Sequence, residues 1–512
     1  MKILSAHAAG LFLSLCLFTV FGRAGAQDAF PLSYRVDTVR MPPGLTAQTG
    51  GVDFFPDGRL VACFMRGEVM TYDPGSKKWE LFAEGLQGPL GVLATGNDEV
   101  LVMQLPELTR IRDTDGDGHA DVYEKAADGF GISGNYHEFN YGPVRDSSGN
   151  LYFALNTASS QGGRGGIRAT VRGEVNPHGR DGADGRRQMF SVVPYRGWVM
   201  ELGADGKLVP FASGFRSPNG LGIDLQNRLF VTDNQSDWVE TSALYHVREG
   251  RFYGHPASLV WEPGWEERDP LNAPVAELDS MRTKAAVLFP QGIMANSPAQ
   301  PLVDGTGGVF GPFSGQLFVG EMNHDRIVRV MLEEVGGELQ GACIPFIDGH
   351  GLRFGNNRLA FGPDGSLWVG QTDFGGWVGH SGMQRIVFTG ETPMDVLSMK
   401  LTEKGFDLTF TQALSVTAAL DTSNYHFRHY GYEYKKKDFN EGIDISTQVD
   451  VGDVKVTGIR LSDDGRTVSL ELDELKAGLV YELKLGKITN PAGRPLDNSL
   501  VCYTLNKLLP KK

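Results

Sequence analysis

Short apolar runs alternate with polar positions along most of this chain, and the runs meet at glycine-bearing turns. A period of two marks strands with one buried face. One phrase recurs. It reads Phe54-Phe55-Pro56-Asp57-Gly58-Arg59-Leu60-Val61 early in the chain and Phe361-Gly362-Pro363-Asp364-Gly365-Ser366-Leu367-Trp368-Val369 late in it. Looser copies centre on Asp146-Ser147-Ser148-Gly149-Asn150, Asp224-Leu225-Gln226-Asn227-Arg228 and Ser314-Gly315-Gln316, with a sixth on Thr95-Gly96-Asn97-Asp98-Glu99. Each predicts an inner strand, a Pro-Asp-Gly-type turn and a second strand. One small sheet cannot bury both of its faces alone, so hairpins repeated at wide spacing predict a propeller. Six copies predict six blades, over residues 35–390. A large β-sandwich would account for the hairpins but not for the recurring phrase.

Two stretches interrupt the pattern. Thr157 to Pro194 is rich in glycine and arginine (Arg164, Arg168, Arg172, Arg180, Arg186, Arg187) and lacks apolar periodicity. A loop of that length is functional or disordered. About 253 to 290 carries Trp261, Trp265 and several prolines and predicts a packed excursion between blades. The composition shifts at Thr392-Pro393. Alternating runs at Leu401–Leu408, Val454–Leu461, Thr467–Leu472 and Val480–Leu485 then predict a small immunoglobulin-like β-sandwich over 394–508. Its segment Tyr432-Glu433-Tyr434-Lys435-Lys436-Lys437 reads as a solvated edge guarded by lysines. The fold class expected is all-β, a six-bladed β-propeller followed by that sandwich.

Residues 1–26 change the compartment. Lys2, the apolar run Leu11 to Phe21 and the small residues Ala24-Gly25-Ala26 form a secretory signal, predicting a periplasmic or secreted protein. The run is too short for a permanent membrane span. The net charge of −14 becomes two units more negative once Lys2 and Arg23 leave, which disfavours nucleic acid as a partner. Cys63, Cys343 and Cys502 remain, allowing one disulfide but no disulfide scaffold. There is no Cys-x-x-Cys-His, Gly-x-Ser-x-Gly, P-loop or His-Glu-x-x-His motif.

The sharpest local motif is Asp113-Thr114-Asp115-Gly116-Asp117-Gly118-His119-Ala120-Asp121-Val122-Tyr123-Glu124. Asp113, Asp115, Asp117, His119, Asp121 and Glu124 fall at loop positions one, three, five, seven, nine and twelve, with glycine at six. Calcium needs six to eight hard oxygen ligands around a tight turn, and this spacing supplies them. The flanks do not read as helices, so the expectation is a structural calcium that braces a blade.

A second set is dispersed. In a propeller, the residues just before each inner strand ring one mouth of the central channel, where small-molecule sites form. Here those positions hold Gln87, His137, Arg216 and Asn219, then Asn296, and Arg353 in Arg353-Phe354-Gly355-Asn356-Asn357-Arg358; strand exits hold Asn234, Gln235 and Glu321-Met322-Asn323-His324. A histidine among arginines, amides and carboxylates can abstract a proton and hold an anion or a sugar. Singly, each residue also has an ordinary use, in a turn or a structural hydrogen bond.

These residues resemble the soluble quinoprotein glucose/sorbosone dehydrogenases, and the nearest likeness is to a subgroup of secreted propellers often fused to c-type cytochrome domains. The likeness lies in His137 followed by Tyr141-Gly142-Pro143, in Arg216-Ser217-Pro218-Asn219-Gly220, in Asp233-Asn234-Gln235, in Arg353, and in Thr306-Gly307-Gly308-Val309-Phe310-Gly311-Pro312-Phe313. It implies a propeller that binds pyrroloquinoline quinone (PQQ) and calcium at the channel mouth. His137 would be the base and Arg216 a quinone contact, with Gln87, Asn219, Asn234, Gln235 and Arg353 also around the cofactor. The lysine that pairs with the quinone in that family would fall at Glu321 to His324, where none stands. No cytochrome follows, so the electron acceptor would be separate, such as a c-type cytochrome.

Three readings stay open. The first is an exported sugar or sugar-alcohol dehydrogenase. The second is a non-catalytic propeller that binds glycans or proteins. The third is a calcium-dependent lactonase or isomerase.

Overall fold

The structure, a computed structural model, describes residues 30–159, 172–178, 189–235, 237–374, 379–436 and 447–510. Residues 1–26, expected to be a signal, Ser236, Lys437 and much of the arginine-rich stretch, including Arg164, Arg168, Arg180, Arg186 and Arg187, lie outside the described residues. The chain divides into two compact units, Met1–Pro31 and Leu32–Lys512. Every described strand belongs to the second unit.

The described chain is almost all β, with two short α-helices, Val275–Met281 and Val416–Ala419. Six antiparallel sheets each contain a run of four strands. Their inner strands are Thr49–Phe54, Gly91–Ala94, Asn140–Arg145, Pro218–Ile223, Pro298–Val303 and Asn356–Phe361. Each packs on the next and the last packs on the first, which closes a ring around an axis. This is a β-propeller. Every copy of the recurring phrase is the turn between an inner strand and its neighbour, closed by the same backbone bond. Phe55, Thr95, Asp146, Asp224, Asp304 and Gly362 donate to Arg59, Glu99, Asn150, Arg228, Gln316 and Ser366 at 2.8–3.1 Å. The fourth turn has no glycine, and Asn227 takes its left-handed conformation at φ 61°. The inner strands crowd so closely that a Cβ on Gly91 would lie 1.6 Å from the Gly142 carbonyl oxygen. Glycine there is a packing requirement rather than a turn signal.

The ring is closed by the chain's start. Tyr34–Val39 pairs antiparallel with Gly382–Phe388 and becomes the outer strand of the sixth sheet. Apolar clusters fill each gap between sheets; Phe55, Val61 and Phe82 of the first meet Val92, Val102 and Ile111 of the second. The excursion predicted between blades instead lies inside the fourth sheet, between Ser242–Val247 and the outer strand Val287–Phe289. An insertion before an outer strand leaves the ring intact, which is why it is accommodated there.

Beyond the ring, Val396–Leu401, Gly405–Phe410, Thr467–Leu472 and Val456–Leu461 form one sheet. The remaining C-terminal strands extend the fifth sheet to eight strands: Glu338–Phe346 pairs with Leu500–Leu505, placing Cys343 opposite Cys502. Both thiols and Cys63 are buried and free, so the disulfide allowed by the sequence is not formed. One core joins the regions, with Met331 and Ile344 of the fifth sheet against Phe406, Leu408 and Tyr481. Among the described residues no helix is long and apolar enough to cross a membrane.

Candidate functional site at the channel mouth

The end of the ring where the inner strands begin is polar, and its side chains form a hydrogen-bonded arc over four sheets. His137 Nδ1 lies 2.8 Å from the Thr157 carbonyl oxygen, and the Thr157 hydroxyl donates to the Arg216 carbonyl at 2.7 Å. A carbonyl only accepts, so Nδ1 carries the proton and Nε2 keeps its lone pair. Asp233 fixes the next turn by accepting from the backbone N–H groups of Arg216 (2.9 Å) and Ser217 (2.6 Å). Asn234 continues the arc, its N–H reaching the Ser217 carbonyl and its Nδ2 the Ser297 hydroxyl at 3.1 Å.

Glu321 then gathers the fifth sheet. Its fully buried carboxylate accepts from the backbone N–H groups of Asn296, Ser297, Asn323 and His324, and from His324 Nδ1 at 2.9 Å. Asn356 Nδ2 bonds the His324 carbonyl, Gln371 Nε2 bonds Asn356 Oδ1, and Arg353 Nη2 donates to Gln371 Oε1 at 2.6 Å. Two imidazoles, His137 and His324, thus stand on this arc with Nδ1 engaged.

The arc brings together His137, Arg216, Asn234 and Arg353. Asn219 lies beneath it, with Nδ2 3.2 Å from Met322 Sδ. Gln235 is turned to Ser242, whose hydroxyl accepts from its N–H at 3.0 Å. Gln87 engages the second sheet through its backbone, while its side chain is exposed. Buried oxygens on Asn219 and Asn234 (Oδ1 in each) and the Nε of Arg353 have no partner among the described residues.

Electrostatics distinguish these groups. Burial, and then the positive charge of Arg216, push the pKa of His137 down to about 3. Its imidazole is therefore neutral at physiological pH. Burial pushes Asp233 up to about 6, against the pull of its backbone donors and of Arg216. Behind Arg216, His255 Nε2 and Asp237 Oδ1 form a fully buried pair at 2.8 Å. Burial would raise the Asp237 carboxyl, but His255 holds it below its ordinary value.

The floor of the mouth is Arg358. The register of the fourth and sixth inner strands shifts so that Arg358 stands where Gly220 stands in the fourth, and where Gly51 stands in the first. Glycines leave space on the axis and one arginine fills it. Its guanidinium donates to the carbonyls of Gly50 (2.8 Å), Leu90 (3.3 Å), Asn219 (3.0 Å) and Asn357 (2.8 Å), and lies 4.9 Å from the centre of the Tyr141 ring. Burial lowers its pKa to about 10, which leaves it charged at neutral pH. No carboxylate among the described residues pairs with it. Arg358 thus separates the polar mouth from a cavity of about 570 Å³ at the turn end, whose walls include Val52, Asp53, Leu93, Val144 and Leu359.

Sequence reasoning marked the segments of Glu321, His324 and Arg358 without assigning them to the site, and gave no role to His255. For Arg358 a signal existed: an arginine inside an inner-strand run whose counterparts are mostly glycine. Glu321 gathers partners two to 25 positions away, His255 pairs with a carboxylate 18 positions away, and neither set has a local signature.

The acidic loop expected to hold calcium lies elsewhere. Asp113 N–H bonds the Asp98 carbonyl in the second sheet's inner turn, so the loop sits at the turn end, away from the polar mouth. Asp113, Asp115 and Asp117 bring their carboxylates within 4.8 Å of one another. The other three positions do not join them. Asp121 accepts from the Thr114 N–H and hydroxyl, Glu124 pairs with Arg112 at 2.7 Å, and only the backbone of His119 touches the cluster, through Asp117.

A closed ring of strands with one polar, histidine-bearing mouth defines this chain as a β-propeller protein with a candidate ligand site on the axis. It belongs to the family described as domain of unknown function DUF7133, whose profile matches residues 70–374. No curated protein matches the chain. Among solved structures it is similar to an oxidoreductase described as a glucose dehydrogenase from Thermus thermophilus (18% identity, TM-score 0.48, 69% of this chain and 100% of that one). It is also similar to the PQQ-bound aldose sugar dehydrogenase of Streptomyces coelicolor (16%, 0.46, 70% and 99%). A third is the soluble aldose sugar dehydrogenase of Escherichia coli in its apo form (13%, 0.46, 70% and 100%). The fold assignment rests on the ring of sheets itself.

Proposed function

We propose that this protein is an exported sugar or sugar-alcohol dehydrogenase of the propeller type, with PQQ and a carbohydrate taken up at the polar mouth. The six sheets are then the blades of a six-bladed propeller, and the C-terminal strands an immunoglobulin-like sandwich. Residues 1–26 would direct export, and a separate protein such as a c-type cytochrome would accept the electrons. The observation that carries the reading is the arc itself. His137, Arg216, Asn234 and Arg353, far apart in sequence, meet at one end of the ring, where Asn234 and Arg353 keep buried polar atoms without partners among the described residues.

The residues present fit an anionic, amide-bonding cofactor. Arg216 and Arg353 supply guanidinium groups suited to carboxylates, and the unpartnered Asn234 Oδ1 accepts a hydrogen bond. When bound, PQQ would supply a hydride acceptor. His137, neutral and with its Nε2 lone pair available, accepts the proton of a substrate hydroxyl. An anion against Arg216 offsets the positive charge that depresses His137, so a filled site makes His137 a better base than an empty one. Asp113, Asp115 and Asp117 would hold a structural calcium at the turn end, completed by water and backbone oxygens.

The test is a PQQ titration of the purified protein with calcium present, followed by absorbance and calorimetry, beside His137→Ala and Arg216→Ala. The expected result is saturable binding, weakened at least about tenfold by Arg216→Ala, followed by dye-linked sugar oxidation that is lost in His137→Ala. Absence of binding at tens of micromolar PQQ would sink the dehydrogenase reading. Glycan binding that survives His137→Ala would then mark a non-catalytic propeller.

A further inference from the structure

The C-terminal region reaches back to the mouth. The segment expected to be a solvated, lysine-guarded edge is instead docked on the fourth sheet through Tyr434. The Tyr434 hydroxyl donates to the Gly254 carbonyl at 2.6 Å, and its ring lies 5.3 Å from that of Trp238. The Arg282 guanidinium covers the ring at 4.5 Å, and the next residue, Lys435, donates its N–H to the Trp238 carbonyl at 3.1 Å.

These contacts are informative because of their neighbours in sequence. Gly254 immediately precedes His255, and Trp238 immediately follows Asp237. Tyr434 therefore grips the chain one residue from each member of the buried His255–Asp237 pair. That pair is tied in turn to the Arg216 segment: the His255 N–H bonds the Gly214 carbonyl, and Asp237 lies within electrostatic reach of the Arg216 guanidinium. A glycine at position 254 is required by its φ of 115°, and a Cβ there would sit 3.5 Å from the Tyr434 ring. The path runs from a C-terminal tyrosine, through a buried imidazole–carboxylate pair, to the arginine of the mouth.

We infer that Tyr434 is a positioning residue of the channel-mouth site, fixing the His255–Asp237 pair behind Arg216, so that ligand affinity at the mouth depends on the C-terminal domain. The inference rests on the reading of the mouth as a ligand site. Tyr434 touches no residue of the arc directly and acts through its two grips.

Full-length wild type, Tyr434→Phe, Tyr434→Leu and Tyr434→Ala decide it, by amide hydrogen exchange over 230–235 and 252–260 and by PQQ titration. Removing the ring is expected to speed exchange of the His255 and Asn234 amides by about tenfold or more. It is also expected to weaken PQQ binding by about tenfold. Tyr434→Phe keeps the ring on Trp238 but loses the bond to the Gly254 carbonyl, and is expected to fall between wild type and the alanine variant in both. Tyr434→Leu fills the space without the ring and covers the case in which the alanine variant does not fold. Exchange unchanged in the Leu and Ala variants would overturn the inference. So would faster exchange with unaltered affinity in a wild type that binds PQQ. A wild type that binds no PQQ defeats the dehydrogenase reading alone, and the exchange data still decide whether Tyr434 holds the pair.

Discussion

The Asp113–Glu124 loop and the channel mouth teach opposite lessons about where chemistry is written in a chain. The loop has a twelve-residue pattern of high specificity, yet only three of its side chains converge, while Asp121 and Glu124 are engaged elsewhere. The mouth has no local pattern, yet its groups from Thr157 to Gln371 are joined bond to bond. A short acidic loop is exposed, and its carboxylates take whichever partners are cheapest in water. At the mouth Glu321, Asp233, Asn356 and Gln371 are buried, and there a polar group must find a partner or cost free energy. Burial, more than motif, organises the site.

The largest effect that could break this contrast lies at Arg358. Its guanidinium supports carbonyls from four sheets, and its removal leaves several of them buried and unsatisfied together with an axial void. Arg358→Ala is expected to cost about 3–5 kcal/mol, read by chemical denaturation, and to abolish ligand binding at the mouth. Arg145→Ala at the exposed turn end is the control, expected within about 0.5 kcal/mol of wild type. Equal losses from the two variants would mean that the axis is not the organising element.

The same burial explains what could be read in the sequence. The turns were legible because five of the six close a backbone bond over four residues with Asp, Asn or Gly inside it, from Phe55 to Gly362, while the fifth spans Asp304 to Gln316 and shows only its Ser314-Gly315-Gln316 end. Tyr34–Val39 lies at the start of the expected propeller span but could not be read as its closing strand, because a strand that closes a ring differs from any other strand only in its distant partner, here Gly382–Phe388. The fusion of the C-terminal strands to the fifth sheet was hidden for the same reason: Cys343 and Cys502 become neighbours across a gap of 159 positions. His137 and Arg216 were found as polar residues at the phase where inner strands begin. Glu321 was not singled out and the His255–Asp237 pair was not seen, because nothing in the local sequence says that a strand-exit acid gathers its own turn or that residues 18 positions apart meet.

A smaller effect sharpens the electrostatic side. The folded pKa of His137 is about 3, below its ordinary 6.5, so between those values the unfolded chain binds more protons and stability falls as pH drops. Asp233 works in the other sense. Its folded value of about 6 lies above the ordinary 3.8, so its contribution is full below 3.8 and is lost as pH rises through 6. His137→Gln is therefore expected to relieve acid destabilisation, by about 3 kcal/mol at pH 4 relative to pH 7, measured by urea denaturation at both. Arg216→Gln is expected to raise the His137 pKa by about one unit, followed by NMR of ring-labelled histidine. A His137 that titrates near 6.5 in wild type would show that water reaches the arc freely, and the contrast with the exposed loop would fail.

The smallest effect tests the loop itself. Three carboxylates and a few waters make a weak calcium site, and 10 mM calcium is expected to raise the melting temperature by only about 1–2 °C. The Arg112–Glu124 pair is half exposed and therefore inexpensive to break. Arg112→Ala frees Glu124, the residue at position twelve, to serve as a bidentate ligand, and is expected to tighten calcium binding by about tenfold in calorimetry. Glu124→Gln in the same background should return the affinity to that of wild type. If wild type already binds as tightly as Arg112→Ala, calcium outcompetes Arg112 unaided, and the motif carries the whole site as its spacing promised. If neither binds at 10 mM, the loop is a set of aspartate turns, and its specificity as a pattern reports the geometry of a tight hairpin rather than a metal.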